Sequence, residues 1–134
     1  MTSALLLALL LTGNPGPPPP SDDPIGSKLF PPELIMGHQT ELEVDEKQRA
    51  AIVKEIEAAQ SRILHAQWEL QAAAEQLGKL LERSQVDEAK ALAQAEKVMN
   101  LEREVKKVHL GLLIRIKNLL TDAQRAKLAE LRKG

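Results

Sequence analysis

Residues 52–80 read IVKEIEAAQSRILHAQWELQAAAEQLGKL and carry the strongest structural signal in the chain. Aliphatic side chains recur here at alternating steps of four and three residues, which places them in one line along a helix. The members of this seam are Ile52, Ile56, Ala59, Ile63, Ala66, Leu70, Ala73, Leu77 and Leu80. No proline occurs from Asp45 onward. We therefore predict one helix over about residues 45–83, with a seam that packs against a second helix.

A second long helix is predicted after a short break. The residues Ser84-Gln85-Val86-Asp87 interrupt the seam, and either Ser84 or Asp87 can cap a new helix that runs to about Leu119. Its own seam comprises Val98, Leu101, Val105, Val108, Leu112 and Leu119. Two long helices that are joined by a short turn form an antiparallel pair.

Shorter helices are predicted at both ends of this pair. The apolar stretch 29–36 contains two prolines, and because proline fits the first turn of a helix we expect a short helix over residues 32–39. A last helix is expected from Asp122 to about Arg132. The predicted fold class is therefore all-α: a long antiparallel helical hairpin with short N- and C-terminal helices.

The helix starts near residues 45 and 121 share one pattern. Thr121 and Gln124 form a capping box, in which Thr accepts the backbone N–H of the third helical residue and Gln reaches back to the N–H of the cap. Asp45 and Gln48 have the same offset, and both motifs continue with Arg-Ala. An antiparallel hairpin brings the two motifs to one end, so we predict that they are neighbours; two unrelated capping boxes are the alternative. The motif residues are Val44, Asp45 and Gln48, and Leu120, Thr121 and Gln124.

These paired motifs resemble the L-T-x-x-Q motifs of the Spy/CpxP group of periplasmic proteins, which is related to the heavy-metal resistance and periplasmic metal-sensor proteins. The second motif matches fully, whereas the first has Val44-Asp45 in place of Leu-Thr and keeps Gln48. The resemblance covers about residues 33–133 and includes the stretch 86–95. It implies an exported, all-helical, hooked hairpin that dimerises and has no catalytic site.

Composition excludes several classes of chemistry. The chain has 134 residues, no Cys and a formal net charge of −1. Without Cys it has no disulfide, thiolate nucleophile or Cys-ligated metal. The small net charge argues against a nucleic-acid-binding protein, which needs a basic surface to neutralise phosphates. A Gly-rich phosphate loop, an H-E-x-x-H motif and a Ser-His-Asp ordering are also missing from the sequence, so we predict that the protein is not an enzyme.

The first 30 residues differ in composition from the rest. Their apolar run, Ala4 to Leu11, is too short to cross a membrane and is typical of the hydrophobic part of a secretory signal peptide. Two expected parts of a signal peptide are missing: no Lys or Arg precedes the run, and no clear A-x-A cleavage site follows it. A start assigned too far downstream would explain the missing basic residues. We interpret residues 1–12 as a signal-like segment, 13–30 as a Pro-rich linker and 31–134 as the helical domain. We therefore expect export to the periplasm; an apolar N-terminus without this role is the alternative.

Two histidines are candidate metal ligands. The resemblance to metal sensors implies an H-x-x-x-H pair that includes His38 and a His-x-x-x-Met pair that begins at His109, but leucine occupies the second position of each pair. With a carboxylate from Glu41 or Glu55, the two imidazoles could still hold Zn²⁺ or Ni²⁺. Ordinary surface histidines are the alternative.

Apolar residues also lie off the two seams. Trp68 faces away from the first seam, with Leu64 and Ala72 one turn to either side. On the second long helix the off-seam residues are Leu110, Leu113, Ile114 and Ile116. Because a two-helix hairpin cannot cover both faces of its helices, we expect this surface to contact a second subunit in a homodimer, to bind a client protein, or to do both.

The sequence therefore favours an exported, non-enzymatic helical protein of envelope stress or heavy-metal resistance. In this interpretation it binds unfolded protein clients or a membrane sensor protein in the periplasm. One alternative is a periplasmic sensor or scavenger of zinc, nickel or cobalt that uses the histidines. A second alternative is a purely structural coiled-coil module.

Overall fold

The structure is a computed structural model that describes residues 23–133. Within that range a 3-10 helix over Gly26–Lys28 precedes four α-helices and no strand occurs. The helices are α1 (Pro32–Met36), α2 (Glu46–Leu81), α3 (Glu88–Leu119) and α4 (Asp122–Lys133). The two long helices α2 and α3 pack against each other, so the predicted all-α helical hairpin is confirmed. The predictions for the signal-like segment and for the start of the linker lie outside the described residues.

The described residues divide into two compact units, which we name for their place in the sequence. The central unit is Ser61–Val108, and the terminal unit comprises the residues up to Gln60 together with those from His109 onward. Both α2 and α3 contribute to each unit. Within residues 23–133, no helix combines the length and the apolar content that crossing a bilayer requires.

Aspartate caps fix where the long helices begin. Asp45 Oδ1 accepts the N–H of Gln48 at 2.7 Å, and Asp87 Oδ1 accepts the N–H of Lys90 at 3.2 Å. Each bond satisfies an amide that has no partner within the first helical turn. Asp87, rather than Ser84, is therefore the cap of α3.

The first helix is shorter than predicted. It ends at Met36 rather than Gln39, because the N–H of His38 bonds to the carbonyl of Ile35 at 3.1 Å, the tighter spacing that closes many helices. The chain then turns and reaches Glu43 with a φ of 54°. This left-handed conformation costs a non-glycine residue about 1 kcal/mol, and it turns the chain from α1 towards α2.

The central unit has a narrow aliphatic core. Its buried cluster consists of Leu70, Leu77, Ala91 and Val98, against which Ala73, Ala95 and Leu101 pack. The alanines keep the side chains short, so that α2 and α3 can approach closely. A hydrogen bond also links the two helices, because Gln94 Nε2 of α3 donates to the carbonyl of Ala73 in α2 at 2.9 Å. Of the seam predicted for α2, Ala66, Leu70 and Leu77 are buried in this unit, whereas Ala73 is half-buried and its neighbour Ala74 is buried instead.

The terminal unit buries side chains from every α-helix that it contains. These residues are Leu29, Phe30, Ile35, Leu42, Ile52, Ala59, Leu112, Ile116, Leu120 and Leu128. Two of them, Leu29 and Phe30, belong to the stretch that the sequence analysis assigned to the linker. The last residues of that stretch therefore contribute to this core.

Two cations hold the N-terminal arm, which we define as residues 23–30. The guanidinium carbon of Arg132 lies 4.9 Å from the centroid of the Phe30 ring, and the ammonium of Lys117 lies 5.9 Å from it. Cations at such distances are attracted by the face of an aromatic ring. Arg132 also donates to three backbone carbonyls of the arm, and Lys117 donates to the carbonyl of Lys28 at 2.7 Å. The arm is thus held by its backbone as well as by its ring.

The seam of α3 leaves the predicted line in the terminal unit. Leu119, a predicted seam residue, is exposed, whereas 0% of the surface of Ile116 is accessible. The buried residues Leu112, Ile116 and Leu120 follow at steps of four, each of which rotates the buried stripe by about 40°. The arm and α4 also form hydrogen bonds with this end of α3, at Lys117. Together with α2 they cover a broader face of α3 than α2 alone would cover. The assignments of Leu119 to the seam and of Ile116 to the exposed surface are therefore wrong.

Replacement of Ile116 by Ala should lower the free energy of unfolding by about 2–5 kcal/mol, because it leaves a cavity in a packed core. The matched variant Ile114→Ala, at a side chain that is 44% exposed, should cost less than about 1 kcal/mol. Urea unfolding followed by circular dichroism measures both. Equal losses in the two variants would contradict the shifted seam.

A carboxyl group of the central unit offers a second test. Burial raises the pKa of Glu102, and the nearby Lys106 lowers this pKa in part. A raised folded-state pKa means that ionisation opposes folding, so the penalty is absent at acidic pH and grows as the pH rises. Glu102→Gln should therefore raise the Tm at neutral pH and lose this advantage below about pH 4. Thermal melts of both proteins at the two pH values check this; a pH-independent difference would contradict it.

Candidate functional site

The two cap motifs meet side by side, which confirms that the starts of α2 and α4 are neighbours. Gln48 Nε2 donates to Gln124 Oε1 at 2.6 Å, and Gln124 Nε2 donates to Gln48 Oε1 at 3.0 Å. We call this reciprocal arrangement the amide pair. Each amide also reaches backbone: Gln48 Nε2 donates to the carbonyl of Leu119 at 2.8 Å, and Gln124 Nε2 donates to that of Leu42 at 3.0 Å.

The amide of Gln124 uses its whole hydrogen-bonding capacity. Its oxygen accepts from Gln48 Nε2 and from the N–H of Thr121, at 2.9 Å, and its nitrogen donates to the carbonyl of Leu42 and to Gln48 Oε1. A side-chain amide has two donors and two acceptor sites, so none is left over. Because the N–H of Thr121 must face oxygen and the carbonyl of Leu42 must face nitrogen, the orientation of the Gln124 amide is fixed. This motif residue therefore has a structural role.

The remaining motif residues support the amide pair. Thr121 Oγ1 accepts the N–H of Gln124 at 3.1 Å, which completes the predicted capping box. Leu120 is buried and Val44 is half-buried, so the apolar residue before each cap packs inward. Among residues 23–133, no buried side-chain nitrogen or oxygen lacks a hydrogen-bond partner.

An exposed apolar ridge runs along α2 in the central unit. We call Leu64, Trp68 and Ala72 the Trp68 ridge. Trp68 is 74% exposed and Leu64 is 55% exposed, and Ala72 is also exposed. Steps of four residues keep the three on one face of the helix. Their exposed neighbours are the uncharged Gln67 and Gln71 on one side and His65 and Glu69 on the other. The placement of the ridge residues away from the seam agrees with the sequence pattern.

The other predicted surface residues lie on α3 in the terminal unit. Leu110 and Ile114 are exposed, and Leu113 is half-buried. Ile116 does not join them, because it lies in the core. The off-seam surface of α3 is therefore smaller than the sequence pattern indicated.

The four candidate metal ligands do not come together. No group of three His, Asp or Glu side chains that could hold a metal ion occurs within residues 23–133. Glu55 Oε2 instead accepts from Arg115 Nε at 2.6 Å, and His38 Nδ1 donates to the carbonyl of Leu34 at 2.8 Å. His109 and Glu41 are both exposed and lie outside any such group. The described residues therefore do not bring His38, His109 and Glu41 or Glu55 into one group, and the zinc or nickel site stays a prediction.

An apolar groove that was not predicted from the sequence lies between α1 and the first turns of α2. Its volume is about 470 Å³, and we call it the α1 groove. It is lined by Pro32, Glu33, Ile35, Met36, Gln39, Val44, Arg49, Ile52, Val53, Ile56 and Gln60. Met36 is 65% exposed and Val53 is 45% exposed. These two off-seam apolar residues were the available signal, but the turn that brings their helices together has no sequence pattern of its own.

Comparisons with protein-family models, with characterised proteins and with solved structures found no match to this chain. Membership of the Spy/CpxP group therefore stays a prediction that rests on the motif residues quoted above.

Replacement of Gln124 by Leu should destabilise the protein by about 1–3 kcal/mol, because it leaves the buried carbonyl of Leu42 and the amide of Gln48 without their partner. Gln76→Leu, at an exposed glutamine of α2, is the matched control and should stay within about 0.5 kcal/mol of the wild type. Chemical unfolding curves measure both. A loss of similar size in the control would show that the effect comes from glutamine replacement in general.

Proposed function

We propose that this is an exported, non-enzymatic binding protein of the Spy/CpxP type, which holds unfolded polypeptide segments on the Trp68 ridge. The observation that carries the proposal is the exposure of Trp68, at 74% of its surface, beside Leu64 at 55%. Water contact with so much apolar surface is unfavourable, at roughly 25 cal/mol per Å². A partner that covers the ridge recovers this free energy.

The chemistry of the ridge suits a polypeptide of variable sequence. An indole buries a large apolar area and keeps one N–H donor for whichever backbone carbonyl comes near. Ala72 leaves room beside the ring for a client side chain, and Gln67 and Gln71 can both donate and accept. None of these groups selects one side chain, so the ridge fits a protein that binds many unfolded clients weakly.

Export and the family assignment rest on the sequence. The apolar run of residues 4–11 supports transport to the periplasm, and the two cap motifs support the Spy/CpxP resemblance. Two related roles are compatible with the same ridge. In the first role, the ridge would bind a folded membrane sensor protein. In the second role, it would contact a second copy of the chain in a homodimer.

Fluorescence of the single tryptophan provides a direct test. Emission of the free protein should be red-shifted, as expected for an indole in water, and should shift to the blue when a reduced, unfolded test protein is added. Trp68→Ala should weaken suppression of aggregation of that test protein, because it removes the largest apolar group of the ridge. Helix content, followed by circular dichroism, should stay unchanged.

Leu92→Ala is the matched control, because this leucine of α3 is also strongly exposed in the central unit but lies outside the ridge. It should suppress aggregation as well as the wild type does. Equal suppression by the wild type and by Trp68→Ala would overturn the client role. If Trp68→Ala instead converts a dimer to a monomer, as sedimentation would detect, the ridge is a subunit contact.

A further inference from the structure

Two cations of the helical body bind the backbone of the N-terminal arm. Four consecutive carbonyls, those of residues 26–29, accept hydrogen bonds from them. Arg132 donates to three of these carbonyls, and Lys117 donates to the fourth, that of Lys28, at 2.7 Å. Because every sequence offers backbone carbonyls, these bonds bind a chain segment without selecting its side chains.

Selectivity comes from two side chains of the arm. Leu29 and Phe30 are buried, whereas no residue of the 3-10 helix before them is buried. The guanidinium of Arg132 and the ammonium of Lys117 also attract the Phe30 ring. In the part of the chain that the structure describes, neither cation pairs with a carboxylate. We call these two cations, together with the surface that buries Leu29 and Phe30, the arm seat.

Side chains, rather than backbone bonds, attach the arm to the helices. Among the described residues, the backbone-to-backbone hydrogen bonds of residues 23–30 run within the arm itself. Its junction with α1 is Pro31-Pro32, which has no N–H to donate. Arg132 lies in the last turn of α4, and helix ends fray readily. Segments with so few buried contacts open at a lower free-energy cost than a core does.

We propose that the arm seat is a peptide-binding site, which the chain's own arm occupies and thereby blocks. Its ligand is a segment of another polypeptide in which an aromatic residue follows a leucine. The two cations bind the carbonyls of that segment and the face of its ring, as they bind those of the arm. The ligand enters only when the arm has left, so its apparent affinity is reduced by the fraction of molecules that are open.

The arm of a second copy is a poorer ligand than a segment without a seat of its own. That arm already makes the same contacts within its own chain, where its tether keeps it at a high effective concentration. Exchange between copies therefore gains no contact. The site lies in the terminal unit and does not depend on the client role of the Trp68 ridge.

A fluorescein-labelled peptide with the sequence of residues 23–32, DPIGSKLFPP, is the probe. It is titrated with the full chain and followed by fluorescence anisotropy. Phe30→Ala weakens the competing arm, so this variant should bind the probe at least about threefold more tightly than the wild type does. A matched probe with alanine in place of its phenylalanine should bind at least about tenfold more weakly. Equal binding of DPIGSKLFPP by the wild type and by Phe30→Ala would overturn the proposal.

Further variants locate the site in the Phe30→Ala background. Arg132→Gln should weaken binding of the probe by about tenfold or more, because it removes three bonds to carbonyls and the cation beside the ring. Lys127→Gln, at an exposed cation of α4, is the matched control and should bind like the background. Binding that survives Arg132→Gln, with helix content unchanged, would place the probe elsewhere and overturn the proposal. If Phe30→Ala loses helix content, Leu29→Ala replaces it as the background.

Hydrogen exchange on the wild type tests whether the arm leaves. The amides of Lys28 and Leu29 bond within the arm, so saturating probe should speed their exchange while amides of α2 and α3 stay unchanged. Unchanged exchange at both arm amides would overturn the proposal. A wild-type dimer that Arg132→Gln dissociates, as sedimentation would detect, would show that a second copy fills the seat and would also overturn it. Trp68→Ala should bind the probe like the wild type, so failure of the client role and failure of this proposal are distinguishable.

Discussion

The reciprocal amide pair between Gln48 and Gln124 is the contact on which the terminal unit depends. Through it the start of α2 binds the start of α4, while the same two side chains hold the carbonyl that ends α3 and the carbonyl of Leu42 before α2. A side-chain amide can join four such partners because it carries donors and acceptors at opposite ends of one planar group. These directional bonds orient the helix ends more closely than apolar packing alone would. They also hold the start of α2, beside which the α1 groove lies.

Periodicity predicted the helices well because burial against one partner repeats along a straight helix. Ala66, Leu70 and Leu77 of the predicted α2 seam are buried, although Ala74 is buried in place of Ala73. The caps at Asp45 and Thr121 were visible because capping is local chemistry. The same reasoning failed at the end of α3. There the arm and α4 cover extra surface, and neither their positions nor the resulting burial of Ile116 follows from spacing along α3.

The candidate sites also differ in whether they depend on one helix or on residues that the fold brings together. Exposure of Trp68 follows from its angle around a single helix, so the sequence indicated it directly. The metal site required His38 and His109, which lie far apart in the chain, to converge with a carboxylate. That convergence depends on side-chain directions that composition does not encode, and Arg115 binds Glu55 instead. The α1 groove was missed for a related reason, because it lies between α1 and α2, and the turn that joins these helices, with Glu43 in a left-handed conformation, has no sequence pattern of its own.

The clamp of Arg132 and Lys117 on the N-terminal arm has a consequence for the order of folding. Phe30 and Arg132 are separated by most of the described chain, so their contact closes a very long loop, which is slow relative to local helix contacts. The central unit, by contrast, is one continuous stretch and can form its core from neighbours in sequence. During synthesis the arm emerges early and has no guanidinium to stack on until Arg132 has left the ribosome. The terminal unit is therefore completed last, and until then the arm lacks its contact with Arg132.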